Sequence, residues 1–342
     1  MAARIAQTTG AEHTAILGLG VYRPARVVTN DEVAGPINSS DEWIRTRSGI
    51  STRRFASAEE TVKSMSVAAA EGALASAGVA ADQVDCVIVA TSTHLLLTPA
   101  IGPQIATDLG MTGAAAFDIS AGCAGFCHAL GMASDLVRAG TSKNVLVIGV
   151  EKLTDTVDFT DRSTAFLFAD GAGAVIVGPA EEQGIGPTVW GSDGTQHHAI
   201  RQSKDWMEFF TEIEEKGTDA VRPYLAMEGT AVFRWAAHSL EKVCREAIDK
   251  AGLTTDDLDA MIPHQANGRI IEIMARVLKL PEDCALANDI EEAGNTSAAS
   301  IPLAMEALLR KGESKPGDTA LLIAFGAGLS YAAQVVTMPA WR

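Results

Sequence analysis

The sequence lacks a long apolar segment and an excess of positive charge. No stretch of about 18 apolar residues is free of charged side chains, so no membrane-spanning helix is predicted. Lys and Arg number 27 against 43 Asp and Glu, and the formal net charge of −16 would repel the phosphates of nucleic acid and of anionic membranes. The N-terminus shows no positively charged segment followed by an apolar run, so no secretory signal is expected. These absences argue against a membrane protein and a general nucleic-acid binder, and they predict a cytoplasmic protein.

Cysteine is scarce, and its five residues are irregularly spaced. They are Cys86, Cys123, Cys127, Cys244 and Cys284. An odd number without a secretory signal predicts free thiols rather than disulfides. Cys127 and His128 lie close enough to Cys123 to suggest a metal site, but no second cluster completes the four ligands that zinc needs. The sequence therefore predicts no metal, and it predicts Cys127 as a core residue.

What the sequence does contain is an internal duplication. Ser76–Thr91 reads SAGVAADQVDCVIVAT and Lys250–Gln265 reads KAGLTTDDLDAMIPHQ, and one Ala, one Gly and two Asp residues coincide at the constant offset of 174 that separates Gly78 from Gly252. Further on, the tripeptide that ends in Cys123 corresponds to the one that ends in Asn295. Each copy reads strand, helix, strand, loop, helix, strand. An internal repeat of this kind indicates that the fold is built from two similar units.

The duplication predicts an α/β protein made of two βαβαβ units, with one half at residues 1–180 and the other at residues 181–342. Alternating strands and helices predict mainly parallel sheets covered by helices on both faces, stacked as layers. Ser57-x-x-Glu60 is interpreted as the capping box of a helix that Gly78 ends. A twofold relation between the halves would bring equivalent loops together.

Cys123 lies at a sharp turn between an apolar run at 114–119 and a helical run at 124–139. Small neighbours suit such a turn, which presents its side chain outward. A helix start directs N–H groups and positive dipole at the thiol, which is expected to lower its pKa below about 8.5 and favour thiolate. We predict a nucleophile here. The alternative is a cysteine that merely fits a tight turn.

His264 and Asn295 are the candidate partners of that thiol. His264 follows a predicted buried strand of the second half, where the ends of parallel strands gather catalytic and binding groups. A lone histidine is more often structural, but Asn295 is the duplicate counterpart of Cys123. The twofold relation therefore predicts that Cys123, Asn295 and the His264 loop converge.

Glycine motifs do not indicate a nucleotide cofactor. Gly18-Leu-Gly20 lacks the third glycine of a dinucleotide-binding loop. Gly171-Ala-Gly173 and Gly326-Ala-Gly328 lack the lysine of a P-loop, and we interpret them as points where backbone approaches the site closely.

Taken together, several motifs resemble those of β-ketoacyl-acyl carrier protein (ACP) synthase III, a condensing enzyme of the thiolase superfamily. They are SDEWIRTRSGI at 40–50, AFDISAGCAGF around Cys123, TDR at 160–162, DGAGA at 170–174, HQANGRI from His264 and GNTSAAS around Asn295. The resemblance runs from about residue 14 to the C-terminus. It is greatest to the actinobacterial branch, which includes fatty-acid initiators and polyketide-priming relatives.

The resemblance implies a homodimer with α/β/α/β/α layers that needs no cofactor. It implies that acyl-CoA acylates Cys123, that malonyl-ACP then loses CO₂, and that its carbanion attacks the acyl-enzyme. Acyl-CoA and malonyl-ACP are thus the expected partners. Neutral His264 and Asn295 would both donate hydrogen bonds to the malonyl thioester oxygen as it becomes an enolate.

The resemblance also implies binding roles for side chains outside the three central ones. Trp43 and Arg162 would sandwich the adenine of CoA while Arg47 reaches its phosphates. Three arginines would dock the acidic carrier protein, and they are Arg269, Arg234 and Arg276.

Around the thiol, the resemblance implies a second oxyanion hole and a cover for the sulfur. The backbone N–H groups of Cys123 and Ala327 would form the hole, and Phe325 would shield the thiol. Thr98 lies in a segment expected to reach across the dimer and cap the primer pocket. Relatives with a bulky aromatic there favour a very short primer, so Thr98 suggests room for branched or longer acyl groups.

Three other functions remain open at this point. A papain-like hydrolase uses Cys, His and Asn in the same order, but its local motif CGSCW is absent. A non-catalytic scaffold would not need the intact set of three residues. A polyketide-priming acyltransferase that skips the condensation is the nearest alternative, and the motifs do not select the primer, the carrier protein or the pathway.

Overall fold

Two five-stranded sheets, one from each half of the chain, form the framework of this protein, whose computed structural model describes residues 5–341. The strands are β1 (His13–Tyr22), β2 (Arg26–Thr29), β3 (Thr52–Phe55), β4 (Cys86–Ala90), β5 (Ala115–Ile119), β6 (Val145–Lys152), β7 (Asp170–Ala180), β8 (Val189–Ser192), β9 (Ile200–Gln202), β10 (Leu225–Met227), β11 (Ala260–Pro263), β12 (Ala285–Leu286), β13 (Thr319–Gly326) and β14 (Ser330–Thr337). The α-helices are α1 (Asn30–Ala34), α2 (Asp41–Ser48), α3 (Val62–Ala77), α4 (Gly102–Asp108), α5 (Gly125–Ala139), α6 (Trp206–Lys216), α7 (Gly229–Lys250), α8 (Gly268–Leu278), α9 (Ile290–Ala293) and α10 (Ser300–Lys311).

The two sheets repeat one strand order. The first runs β1-β7-β6-β4-β5 and the second runs β8-β14-β13-β11-β12. In each sheet the last three strands of that order are parallel, and the first two pair antiparallel. The duplication expected from the sequence is therefore confirmed strand by strand.

The expectation of mainly parallel sheets holds for four strands of each sheet and was wrong for one. β7 returns antiparallel beside β6, and β14 returns antiparallel beside β13. Antiparallel neighbours need no helical crossover, and β13 and β14 are joined by a turn at residues 327–329. The connection, rather than the apolar pattern of the strand, determines its direction.

Helices cover both sheets in five layers. α3 packs on the outer face of the first sheet, and α7 with α8 covers the outer face of the second. α5 and α10 lie between the sheets, and their apolar side chains join the inner faces of both in one core cluster. Almost every residue of α10 is buried, as expected for a central layer. The α/β/α/β/α arrangement implied by the resemblance is confirmed.

The start of α3 differs from its expected position. Its cap is Thr61, whose hydroxyl accepts a hydrogen bond from the N–H of Ser64. Ser57 and Glu60 do exchange hydrogen bonds, but they close a turn ahead of the helix. Gly78 ends the helix with a φ of 63°, as predicted.

β7 ends at Ala180, and the next strand, β8, belongs to the second sheet. We therefore propose to keep the division between the halves at residues 180 and 181. Among residues 5–341, no helix is both long and apolar enough to cross a membrane.

Candidate active site

A cavity of about 850 Å³ lies at the junction of the two halves, and it is lined by Cys123, His264 and Asn295 together. Cys123 comes from the turn between β5 and α5, and His264 directly follows β11. Asn295 lies between α9 and α10, in the loop that corresponds to the Cys123 turn. The twofold relation brings the three side chains to one cavity.

The environment of Cys123 overturns one expectation. The residue sits in a 3₁₀ turn, Gly122–Ala124, that leads into α5, and only 9% of it is exposed. Burial raises the pKa of the Cys123 thiol to about 12, and the neighbouring Ser297 side chain only partly offsets this. The prediction of a lowered pKa was wrong, because desolvation of a buried thiolate outweighs the favourable helix start. The resting group is a thiol.

His264 is buried and neutral. Its Nδ1 lies 2.7 Å from the hydroxyl of Ser300, at the start of α10. The ring of Phe325 packs edge-on against the imidazole at 5.4 Å between centroids. Burial lowers the pKa of His264 to about 3, so the imidazole stays uncharged at neutral pH. A neutral imidazole can donate one hydrogen bond from Nε2 when Nδ1 accepts one from Ser300.

Asn295 is held by backbone on both sides. Its N–H donates to the carbonyl of Leu167, and its carbonyl accepts from the N–H of Ala169. The side-chain oxygen accepts a hydrogen bond of 2.9 Å from the N–H of Ser297. With Oδ1 engaged in this way, the Nδ2 amide is the group left to donate into the cavity.

Glycines allow the turn at 326–328 to lie against the nucleophile. A Cβ on Gly326 would come within 2.5 Å of the Cys123 nitrogen. Gly122 has a φ of 53°, and a Cβ there would lie 2.9 Å from the nitrogen of Ala327. These approaches fit the interpretation of the Gly326-Ala-Gly328 motif, and they bring the N–H groups of Cys123 and Ala327 to neighbouring positions. Phe325 and Ala327 both line the cavity beside the thiol.

The three residues expected to bind CoA line the same cavity as Cys123. The guanidinium of Arg162 lies 4.5 Å from the centroid of the Trp43 ring, and that of Arg47 lies 5.7 Å from it. Arg162 thus rests directly on the ring. The adenine sandwich that the resemblance implies would therefore require Arg162 to move aside, and an exposed cation–π contact costs only about 0.5–1 kcal/mol to break.

Only one of the three arginines expected to dock the carrier protein lines the cavity, namely Arg269 on α8. Its guanidinium lies 5.5 Å from the ring centroid of Phe233, on α7. Arg234 and Arg276 are exposed outside the cavity on the same two packed helices. None of the three forms an ion pair with a residue in 5–341.

Thr98 is not brought to the cavity of the single chain. The loop after β4 contributes His94, Leu95 and Leu97 to the lining, while Thr98 is exposed beyond them. Its suggested role in the primer pocket stays a prediction, because the resemblance assigns that role to contact with a second copy of the chain.

Several lining residues escaped the sequence analysis, namely Arg201, Trp206 and Arg222. They lie between β8 and α7, at residues 193–228, and the corresponding segment of the first half is residues 23–61, which carries Trp43 and Arg47. The duplication could have located them, since equivalent insertions meet at a twofold junction. Ser297 and Glu151 were also missed, because hydroxyl and carboxylate groups far apart in sequence carry no local signal.

The remaining predictions concern cysteines and metal. Cys127 is fully buried in the core shared by both sheets, as predicted. Cysteines 86, 123, 127, 244 and 284 are all free. In the described part of the chain, no group of three or more His, Cys, Asp or Glu side chains is placed to hold a metal ion.

Comparison with known proteins gives consistent matches along the chain. The family model described as 3-oxoacyl-[acyl-carrier-protein (ACP)] synthase III matches residues 117–194, and the model of the C-terminal part of that family matches residues 248–338. The mycobacterial β-ketoacyl-[acyl-carrier-protein] synthase III of Mycolicibacterium paratuberculosis is 58% identical over 336 residues, which are 98% of this chain and 99% of the relative. The β-ketoacyl-[acyl-carrier-protein] synthase III of Mycobacteroides abscessus is 57% identical over 335 residues and 98% of both chains.

Solved structures agree with these relatives. The priming β-ketosynthase of the R1128 polyketide biosynthetic pathway superposes with a TM-score of 0.94 at 45% identity, over 100% of both chains. The 3-oxoacyl-[acyl-carrier-protein] synthase III of Aquifex aeolicus superposes with a TM-score of 0.86 at 39% identity, over 95% of this chain and 99% of that one. The matched ranges contain Cys123, His264 and Asn295, and with relatives more than half identical over almost its whole length this chain belongs to the 3-oxoacyl-[acyl-carrier-protein] synthase III family of thiolase-like condensing enzymes.

Proposed function

We propose that this chain transfers an acyl group from acyl-CoA to Cys123 and then condenses it with malonyl-ACP, giving 3-ketoacyl-ACP, CoA and CO₂. The observation that carries the proposal is the meeting of a buried thiol, a neutral imidazole and an oriented amide at one cavity. No metal or cofactor takes part in the proposed reaction. We further propose that the protein works in a reducing cytoplasm, where its free thiols persist.

In the acyl-transfer step, the Cys123 sulfur attacks the thioester carbonyl of acyl-CoA. The carbonyl oxygen gains negative charge, and the N–H groups of Cys123 and Ala327 are the donors we assign to it. Phe325 keeps water from the sulfur on one side. The product is a thioester on Cys123, and CoA leaves.

In the condensation step, malonyl-ACP loses CO₂ and the thioester becomes an enolate. His264 Nε2 and Asn295 Nδ2 are the two donors we assign to the enolate oxygen, since the opposite atoms of both side chains are engaged by Ser300 and Ser297. Neutral donors suit this role. A carboxylate at either position would repel the developing charge.

The basic rim formed by Arg269, Arg234 and Arg276 is proposed to receive the acidic carrier protein. All three are exposed, and Arg269 reaches the mouth of the cavity from the first turn of α8. On a chain with a net charge of −16, a local basic rim acts by steering the partner rather than by overall attraction.

Arg269→Glu is expected to raise KM for malonyl-ACP roughly tenfold, which corresponds to about 1.4 kcal/mol, with a small effect on kcat. Acylation by acyl-CoA should change little, because CoA is assigned to Trp43, Arg47 and Arg162. Steady-state kinetics at low and high salt measure this, and added salt should weaken the parent protein more than the variant.

The matched control is Arg138→Glu, which reverses an exposed charge at the end of α5, outside the rim. It should leave KM for malonyl-ACP unchanged. Equal losses in acylation and condensation for Arg269→Glu would make Arg269 a structural residue and remove the proposed docking rim.

A homodimer is proposed because the loop after β4 is apolar and uncovered in the single chain. Leu95, Leu96 and Leu97 are 55%, 59% and 88% exposed, and two of them line the cavity. Contact with a second copy would bury these side chains and complete the primer pocket. Thr98 follows them and would then face the pocket of the partner.

Thr98 is expected to permit primers longer than acetyl. A panel of acetyl-, isobutyryl- and lauroyl-CoA with malonyl-ACP should show that at least one of the larger primers is elongated as fast as acetyl-CoA. Thr98→Phe should reduce kcat/KM for the larger primers about tenfold or more and spare acetyl-CoA, because an added ring fills the pocket. Unchanged selectivity in Thr98→Phe would remove Thr98 from the pocket.

A priming acyltransferase without condensation is the second candidate; the superposition on the priming β-ketosynthase of the R1128 pathway supports a priming role, although the name of that relative describes a condensing enzyme. Both candidates use the same thiol. Release of CO₂ from malonyl-ACP distinguishes them, because only condensation requires it.

A further inference from the structure

A buried carboxylate lies beside the nucleophile and has no part in the roles assigned so far. Glu151, on β6, is completely buried, and no Lys, Arg or His within residues 5–341 pairs with it. It is close enough for its negative charge to contribute to the raised pKa of the Cys123 thiol. An unpaired carboxylate in such a place is costly, so the site around it must compensate.

Neutral donors surround this carboxylate. Oε1 accepts hydrogen bonds from the hydroxyls of Ser92 and Ser297 at 3.0 and 3.1 Å. Oε2 accepts from the hydroxyl of Thr93 at 2.7 Å and from the N–H of Ser92 at 3.1 Å. Burial nevertheless raises the pKa of Glu151 from its ordinary value, although these hydrogen bonds oppose the effect. The group is therefore a stronger proton acceptor than an exposed carboxylate.

Ser297 connects this carboxylate to the nucleophile. Its hydroxyl donates to Oε1 of Glu151, and Ser297 lines the cavity together with Cys123, close enough to affect the pKa of the thiol. A serine hydroxyl has a single proton, and a carboxylate can only accept. With its proton donated to Glu151, Ser297 Oγ has lone pairs left that can accept a proton from the sulfur of Cys123, and a path from sulfur through Oγ to Oε1 is available.

His264 cannot accept the proton of the Cys123 thiol if it has the role assigned to it in the proposed function, on which this inference rests. Its assigned role requires a proton on Nε2, with Nδ1 accepting from Ser300. That nitrogen then has no lone pair for the thiol proton. Burial also lowers the pKa of His264 to about 3, which makes it a weak base. The thiol still has to lose its proton before sulfur can attack.

We propose that Glu151, acting through Ser297, accepts the thiol proton of Cys123 during acyl transfer and returns it to the sulfur at the end of the cycle. As sulfur bonds to the acyl carbon, its proton passes to Ser297 Oγ and the Ser297 proton passes to Glu151 Oε1. The bond between the acyl carbon and CoA breaks, and CoA leaves as a thiolate that takes a proton from water.

The second half of the cycle restores the starting state. The carbanion formed by loss of CO₂ attacks the acyl-enzyme, and the bond from Cys123 sulfur to the acyl carbon breaks. The released sulfur regains its proton from Ser297, which regains its own from Glu151. One proton from water is consumed in each cycle, by CoA, which balances the loss of CO₂ from a malonyl carboxylate.

Protonation of Glu151 also removes the repulsion between its negative charge and the oxyanion that forms during acyl transfer. An oxyanion forms near the sulfur during acyl transfer, and a fixed negative charge behind Ser297 would oppose it. Passing the proton to the carboxylate leaves one negative charge in the buried site rather than two. Transfers of this kind typically contribute about 10²–10⁴ to a rate.

Glu151→Gln tests the relay, because glutamine keeps the size of the side chain and an acceptor for Ser297 but cannot take a proton. Acylation by acetyl-CoA and lauroyl-CoA, followed by quenched intact-mass measurement, should slow about 10²-fold. Alkylation of Cys123 by iodoacetamide should slow similarly. Decarboxylation of malonyl-ACP without primer should stay within threefold of the parent. Ser297→Ala should reproduce this split, and Glu151→Asp should recover part of the acylation rate.

The control is Asp170→Asn, which removes another buried carboxylate held by neutral donors, at the start of β7. It should leave acylation near the parent rate. The proposal is overturned if Glu151→Gln acylates within threefold of the parent, or if all three rates fall together with thermal stability. Should Glu151→Gln fail to fold, the same comparison is made between Ser297→Ala and Glu151→Asp. Slow alkylation in Glu151→Gln, with no acylation even in the parent, would sustain the relay while refuting the proposed function.

Discussion

Cys123→Ala is expected to abolish formation of the acyl-enzyme, with condensation falling to the level of the reaction without protein. The cavity offers no other thiol, because among the five cysteines, all in the described part of the chain, only Cys123 lines it. Alanine keeps the tight turn, so the fold should persist. Intact-mass measurement after incubation with acyl-CoA would detect the adduct in the parent and its absence in the variant.

Cys127→Ala is the matched control, one helical turn further along α5. That cysteine is fully buried in the core between the sheets, and it does not line the cavity. Its loss should lower stability by about 1 kcal/mol, as small core truncations do, and leave acylation intact. A stable adduct on Cys123→Ala would move the nucleophile elsewhere.

His264→Ala and Asn295→Ala are each expected to lower the rate of condensation by about 10²–10³, the usual cost of losing one donor to a developing oxyanion. Both variants should still form the acyl-enzyme, since neither donor is assigned to acyl transfer. Pre-acylated protein mixed with malonyl-ACP, with release of CO₂ followed, separates the two steps.

Asn295→Asp sharpens the test, because aspartate has the size of asparagine and supplies no amide donor. A carboxylate would also face the N–H of Ser297, so the loop should keep its geometry. Condensation should be no faster than in Asn295→Ala. Faster condensation in Asn295→Asp than in Asn295→Ala would contradict the role of Asn295 as an amide donor. A variant of His264 or Asn295 that condenses at the parent rate but no longer forms the acyl-enzyme would mean that the residue acts in acyl transfer instead.

The candidate site could be located from the sequence because of its duplication. Offsets of 172 to 174 between the halves place Asn295 opposite Cys123, and the repeated strand order explains why the two loops do share a cavity. Equivalent loops of two similar units related by a twofold axis meet at that axis. The same reasoning, carried through, would have found the paired insertions at 23–61 and 193–228.

The protonation state of Cys123 was not predictable in the same way. The helix start is evident in the local sequence, and it argues for a thiolate. The pKa is raised to about 12 first by desolvation, to which the close approach of the turn at 326–328 contributes, and then by the negative charge of Glu151. Both the turn and Glu151 are distant from Cys123 in the chain. The antiparallel strands β7 and β14 were missed for a related reason, since strand direction depends on the connection and not on residue pattern.

The position of the cavity at the seam between the halves has a consequence for how the protein loses activity. Cys123 belongs to one half, and His264 and Asn295 belong to the other. The distances between the reacting groups therefore depend on how the two halves pack against each other. A displacement of about 1 Å can cost about 10² in rate while leaving each half folded. Heat or denaturant should therefore inactivate the protein before it unfolds, and a substitution far away on the faces of α5 or α10 can act as a kinetic defect with an ordinary melting curve.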